Sequence, residues 1–147
     1  MSYSIDANVL LYASDTGSRW QKAATDFLAG VVARSELCCL AWPTMMAYLR
    51  IASHPRIFSA PLTPREAEEN LNSLLELPRV RVIGEGDGFW SAYRIISAET
   101  PVRGNLVTDA HLAAILLEHG VGTLYSRDRD FLKFRNLRVR DPFAAVE

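Results

Sequence analysis

The chain has 147 residues, a formal net charge of −1, 49% apolar residues and 22% charged ones, proportions that suit a globular core of single-domain size. No apolar run approaches the ~18 residues that a bilayer span requires, the opening "MSYSIDANVL" lacks the basic and apolar segments of a signal peptide, and the near-neutral balance argues against a nonspecific nucleic-acid coat. Cys38 and Cys39 are neighbours, with no second Cys or His pair at zinc spacing. Because a disulfide between adjacent residues is strained, they read as reduced core residues of a cytoplasmic protein.

In chain order, residues 2–6 read as a short buried strand. "ANVLLYASD" opens a helix with Val9, Leu10 and Ala13 at helical spacing. Residues 18–34 form a second helix, with Trp20, Ala23, Ala24, Phe27, Leu28 and Val31 as its apolar stripe. "LCCLAW" is a continuous apolar run, the pattern of a parallel strand buried on both faces. Pro43 suits the first turn of the helix "PTMMAYLRIAS", which "HPRIF" breaks. Thr63, Pro64 and Glu66 form a capping-box sequence for a helix running to about Leu77, where Pro78 stops it. "RVRVIG" alternates like a strand, and residues 87–99 are helical. "NLV" reads as an extended approach to a helix capped by Thr108 and ended by Gly120. "VGTLYS" and "LRVRD" are the last strands. There are no repeats, linkers or low-complexity tracts, so the expectation is one domain over 1–147. Strand–helix alternation predicts an α/β layer fold with a mostly parallel sheet, which places ligands beyond the carboxyl ends of its strands.

Asp6 and Asp128 fall at such strand ends, and Asp109 opens a helix. Singly, each has a structural explanation: Asp6 as a helix cap, Asp109 as an acid favoured by the helix dipole, Asp128 and Asp130 as turn residues. Jointly, carboxylates gathered at one sheet edge repel one another until one takes up a proton or a cation neutralises them. Oxygen ligands of this kind select Mg²⁺ or Mn²⁺. Such an ion polarises a phosphoryl oxygen and acidifies a bound water, so the matching reaction is metal-dependent phosphodiester hydrolysis.

The ordered pieces "IDANVLLY", "AWPTMMAYLRIASHPRIF", "LVTDAHLAAILLEHG", "LYSRDRDF" and "RVRDP" span nearly the whole chain. In that order they resemble PIN-domain nucleases, in particular the VapC-type ribonuclease toxins of bacterial toxin–antitoxin pairs. The resemblance implies a PIN-like three-layer fold, with a mostly parallel central sheet flanked by helices. It implies catalytic and Mg²⁺- or Mn²⁺-binding roles for Asp6, Asp109 and Asp128, with Asp130 as an additional ligand. Asn8 would support the first acid's loop by hydrogen bonding, and Thr108 and Ser126 would orient the ligands. It further implies an RNA substrate, a cognate antitoxin that lays a helix or extended tail into a groove, and a homodimer.

One departure stands out. The family pattern carries a glutamate on the middle helix where this chain has Ala47. That leaves open a metal-dependent endoribonuclease working with the remaining acids, and a catalytically weak module that binds RNA or a partner. A phosphoacceptor signalling domain fits less well, because the first loop offers only Asp6 and the neutral Asn8, and no lysine follows "TLYS". Arg127 and Arg129 flank the strand-end acids and are candidates for holding an RNA strand. Arg50, three residues after Ala47, either contacts phosphate or pairs with an acid. His54 reads as a helix-end residue near the last carbonyls, His111 and His119 as surface residues, and Trp42, Met45, Met46 and Tyr48 as a core patch.

Overall fold

Strand–helix alternation is realised as a five-stranded parallel sheet in the computed structural model, which describes residues 1–143. The strands are β1 (Ser2–Ile5), β2 (Leu37–Ala41), β3 (Val80–Ile83), β4 (Thr123–Tyr125) and β5 (Arg138–Arg140), in the order β3-β2-β1-β4-β5. The helices are α1 (Ala7–Ser14), α2 (Gln21–Ala29), α3 (Trp42–Ala52), α4 (Pro64–Leu75), α5 (Phe89–Glu99) and α6 (Leu106–Glu118). From β1 the chain builds outward on one side through β2 and β3, then returns to the other side for β4 and β5. The β1/β4 junction is therefore the topological switch point, where a crevice opens at the strand carboxyl ends.

Period-two alternation divides the core into two layers. Tyr3, Ile5, Cys38 and Leu40 pack on one face with α1, α3 and α4. Cys39, Ala41 and Leu124 pack on the other with α5 and α6. The two cysteines are free and buried in opposite layers. The fold is thus a three-layer α/β/α sandwich around an all-parallel sheet, as the sequence pattern led us to expect.

Local chemistry explains the start of α4 and the end of α6. Thr63 forms the expected capping box: its side chain accepts the Glu66 N–H at 3.1 Å, and the Glu66 carboxylate accepts the Thr63 N–H at 2.9 Å. After α6, Gly120 takes φ +69°. Val121 N–H then bonds to Leu116 O at 2.8 Å and Gly120 N–H to Leu117 O at 3.1 Å, a Schellman closure that needs a left-handed residue.

Three expectations are corrected. The stretch 18–34 is not one helix: α2 begins only at Gln21, and its last turn tightens into a 3-10 segment, Gly30–Ala33. Thr108 does not cap α6, and "NLV" is not extended. The helix starts at Leu106 after Asn105, with no side-chain cap bond. Gly104, at φ +59°, makes the turn. Three successive backbone bonds of 3-10 type, from Leu106, Val107 and Thr108 N–H to Arg103, Gly104 and Asn105 O at 3.3, 3.1 and 3.2 Å, then wind the chain into the helix.

Replacing Thr63 with alanine removes one of the two capping-box bonds at an exposed position. The urea unfolding midpoint should fall by the equivalent of about 1 kcal/mol, with an unchanged denaturant slope.

Candidate active site

The site grows from the β1/β4 junction. Ile5 is paired with Tyr125, and Asp6 N–H continues the ladder to Tyr125 O at 3.0 Å. Asp6 and Ser126 are thereby brought side by side as their strands end. The Ser126 hydroxyl donates to Asp6 Oδ2 at 2.8 Å and accepts the Asp128 N–H at 2.9 Å. One hydroxyl, donor on one side and acceptor on the other, ties Asp6 to the loop carrying Asp128 and Asp130. Asp128 Oδ1 accepts the Asp130 N–H at 2.9 Å, which starts a 3-10 turn, Arg129–Lys133.

Asp109 enters from the first turn of α6. Carboxylate oxygens of Asp109, Asp128 and Asp130 come within 4.8 Å of one another. Asp6 lies outside this closest set; its buried carboxylate accepts the Ser126 hydroxyl bond. It does line a small cleft of about 80 Å³ together with Asp109, Thr44, Ala47, Thr108 and Phe131.

The acids respond to burial and to one another. Burial first, then the charges of Asp128, Asp130 and Asp6, push the Asp109 carboxyl up to about 6, with Lys133 acting the other way. Burial also raises Asp6; the Ser126 bond offsets this in part, and the nearby Asp128 charge adds to it. Every donor at the cluster is a carboxylate oxygen and the crowding calls for positive charge, so these residues fit a hard divalent cation.

Other expected residues are placed differently. Asn8 is exposed on α1, and among the described residues its side chain makes no hydrogen bond to the acids. Thr108 lines the cleft beside Asp109 but is exposed. Arg127 turns away from the cluster: it pairs with Asp141 at 3.3 Å and lies over the Trp20 ring at 3.9 Å, while Trp20 stacks on Phe143. Arg129 and Arg50 are exposed, and Lys133 reaches Asp130 at 3.2 Å. His54 accepts the Arg56 N–H on its Nδ1 beyond the C-terminal end of α3. His111 meets Glu85 at 2.6 Å and His119 the Gly84 carbonyl at 2.7 Å, both tying α6 to the loop after β3.

No family model matches the chain. It is 42% identical over 144 residues to ribonuclease VapC48 of Mycobacterium tuberculosis, an alignment covering 98% of this chain and 99% of that relative. The chain belongs to the VapC ribonuclease family. Solved structures agree at the level of the fold. VapBC2 from Rickettsia felis, determined with a DNA fragment of its promoter, superposes with a TM-score of 0.68 at 14% identity, covering 95% of this chain and 98% of that one. VapC20 of Mycobacterium tuberculosis, described as a sarcin–ricin loop cleaving toxin, gives 0.64 at 16% identity, covering 92% and 98%.

In this VapC-family chain, sequence reasoning missed Thr44, Leu112 and Phe131 as cleft residues. Only Thr44 carried a signal, standing one helical turn before Ala47. Trp20 and Asp141, the partners of Arg127, carried none; both lie far from it along the chain or read as ordinary turn residues.

The raised acids set a pH dependence. Asp109 in the fold binds its proton more tightly than in the unfolded chain, so between about 4 and about 6 the native state holds more protons and stability falls as pH rises. Without divalent ions, the thermal midpoint should decline across that window, and Asp109→Asn should flatten the decline.

Proposed function

We propose that this VapC-family protein is a toxic Mg²⁺- or Mn²⁺-dependent endoribonuclease of a toxin–antitoxin pair, acting as one domain in the cytoplasm. The observation that carries the reading is the convergence of Asp109, Asp128 and Asp130 within 4.8 Å at the switch point of the sheet. The kinship with a VapC ribonuclease over nearly the full chain supports the reaction class, and VapC20 offers a precedent for an RNA loop as target. Reduced, buried cysteines suit the compartment, and among the described residues no helix is long and apolar enough to cross a membrane.

Asp109, Asp128 and Asp130 hold the ion, with Asp6 beside them. When bound, the ion polarises the scissile phosphate and acidifies a water. Ser126 keeps Asp6 and the Asp128 loop in fixed relation through its two hydrogen bonds. Thr108, at the cleft wall, adds a hydroxyl beside Asp109, and Asn8 is exposed two residues after Asp6 in the first turn of α1. Arg129 and Arg50, both exposed, supply positive charge for RNA phosphates. Arg127 we assign to bracing the loop against Trp20 and Asp141.

The partner has a place as well. A groove of about 450 Å³ between α1, α2 and α4 is walled by Leu10, Leu28, Leu71, Leu74 and Leu77. Its polar floor is a Ser14–Tyr48–Asn70 network at 2.6 and 3.0 Å. An apolar trough with a few fixed polar groups suits an amphipathic antitoxin segment, and the VapBC2 complex supports a cognate antitoxin. Exposed Trp42 and Met46, one turn apart on α3, offer apolar surface for a second copy in a homodimer.

Purified protein should cleave single-stranded RNA with Mn²⁺ and stop on addition of EDTA; Asp109→Asn should slow cleavage at least about 100-fold. Cleavage by Asp109→Asn at the wild-type rate would falsify the mechanism. Leu74→Glu should leave cleavage intact but weaken antitoxin inhibition by about tenfold or more, measured by titrating the antitoxin into the same assay.

A further inference from the structure

Thr44 lies in the first turn of α3, three residues before Ala47, so the two side chains share a helix face. Thr44 is only 3% exposed, and its Oγ1 is buried without any hydrogen-bond partner. A buried hydroxyl is costly to leave unpaired, and native proteins pair such groups with protein or ordered water. The same Thr44 lines the cleft of about 80 Å³ with Asp6, Ala47 and Asp109. At the ~30 Å³ that a water occupies in the liquid, this space admits about two waters; most of its wall is apolar, and the polar partners it offers them are Asp6, Asp109, Thr44 and Thr108. Ala47 forms part of the cleft wall, where its short side chain leaves room beside Thr44.

We propose that Thr44 is a positioning residue of the metal site. Its hydroxyl holds a water in the space over Ala47, and that water gives the divalent ion the oxygen that no side chain at position 47 supplies. This rests on the metal-dependent reading above. The arrangement has an electrostatic advantage. Asp6, Asp109, Asp128 and Asp130 already crowd the site, and a neutral hydroxyl–water pair adds a ligand oxygen without a fifth negative charge. A hydroxyl that orients a ligand rather than touching the ion is expected to change affinity about 10-fold or more when lost.

The test is calorimetric titration of Mn²⁺ into the full chain, with the metal-free thermal midpoint measured alongside. Thr44→Val keeps the shape and deletes the hydroxyl; it should weaken Mn²⁺ binding about 10-fold while the metal-free midpoint stays level or rises. Thr44→Ser should bind within about twofold of wild type. Ala47→Val leaves the hydroxyl in place and fills the water's space, so it too should weaken binding, and this variant serves if Thr44→Val fails to fold. Wild-type affinity in either valine variant, with binding abolished in Asp109→Asn, would overturn the role of Thr44 and leave the metal site standing. No Mn²⁺ uptake by the wild type would overturn both.

Discussion

Carboxylates held within 4.8 Å of one another repel, and the rest of this molecule is arranged around that repulsion. Their charge is concentrated where the low-dielectric core meets solvent, and part of it is relieved by the upward shift of Asp109 to about 6. Lys133, beside Asp130, relieves a little more, but it is half exposed and its effect is screened. What remains is an unbalanced negative pocket. A phosphate backbone would be driven away from such a pocket unless a cation were already there, so ion and substrate belong to one electrostatic problem.

Holding like charges together demands a rigid frame. The parallel pairing of β1 with β4 supplies it, since the Ile5–Tyr125 register leaves Asp6 and Ser126 level at the strand ends. A one-residue slip would reverse the direction of every side chain in β4 and send Leu124 out of the core. The buried faces therefore hold the acids in place, although no acid contributes to the packing. The loop beyond β4 is braced from outside by Arg127, which spans from the α1–α2 connection at Trp20 to Asp141 after β5. Three separate parts of the chain converge there, and a cation over an aromatic ring is worth more where water is partly excluded.

How much of this was readable beforehand follows from the range of each interaction. The strand-end acids Asp6 and Asp128 were legible because a parallel α/β pattern says where its strands finish. The Thr63 box and the Gly120 closure were legible because their partners lie within a few residues. Thr108 misled because a Thr–Asp pair before an apolar run imitates a cap, whereas a left-handed glycine four residues earlier had already turned the chain. Asp130 rather than Asp6 completes the tightest acidic set, an arrangement that exists only once the strands pair and Ser126 fixes Asp6 against the Asp128 loop. Arg127 reads as a phosphate contact because it flanks the strand-end acids, while Trp20, the ring it lies over, is remote from it in sequence and gives no signal there.

Cys38 and Cys39 are joined by one peptide bond yet sit in different hydrophobic layers, the first fully enclosed and the second 7% exposed. Each thiol becomes reactive only when its own layer opens. The pair is thus a built-in gauge of whether the helices on the two sides of the sheet loosen together or in turn, and it reads both sides from a single point on β2, next to the central strand.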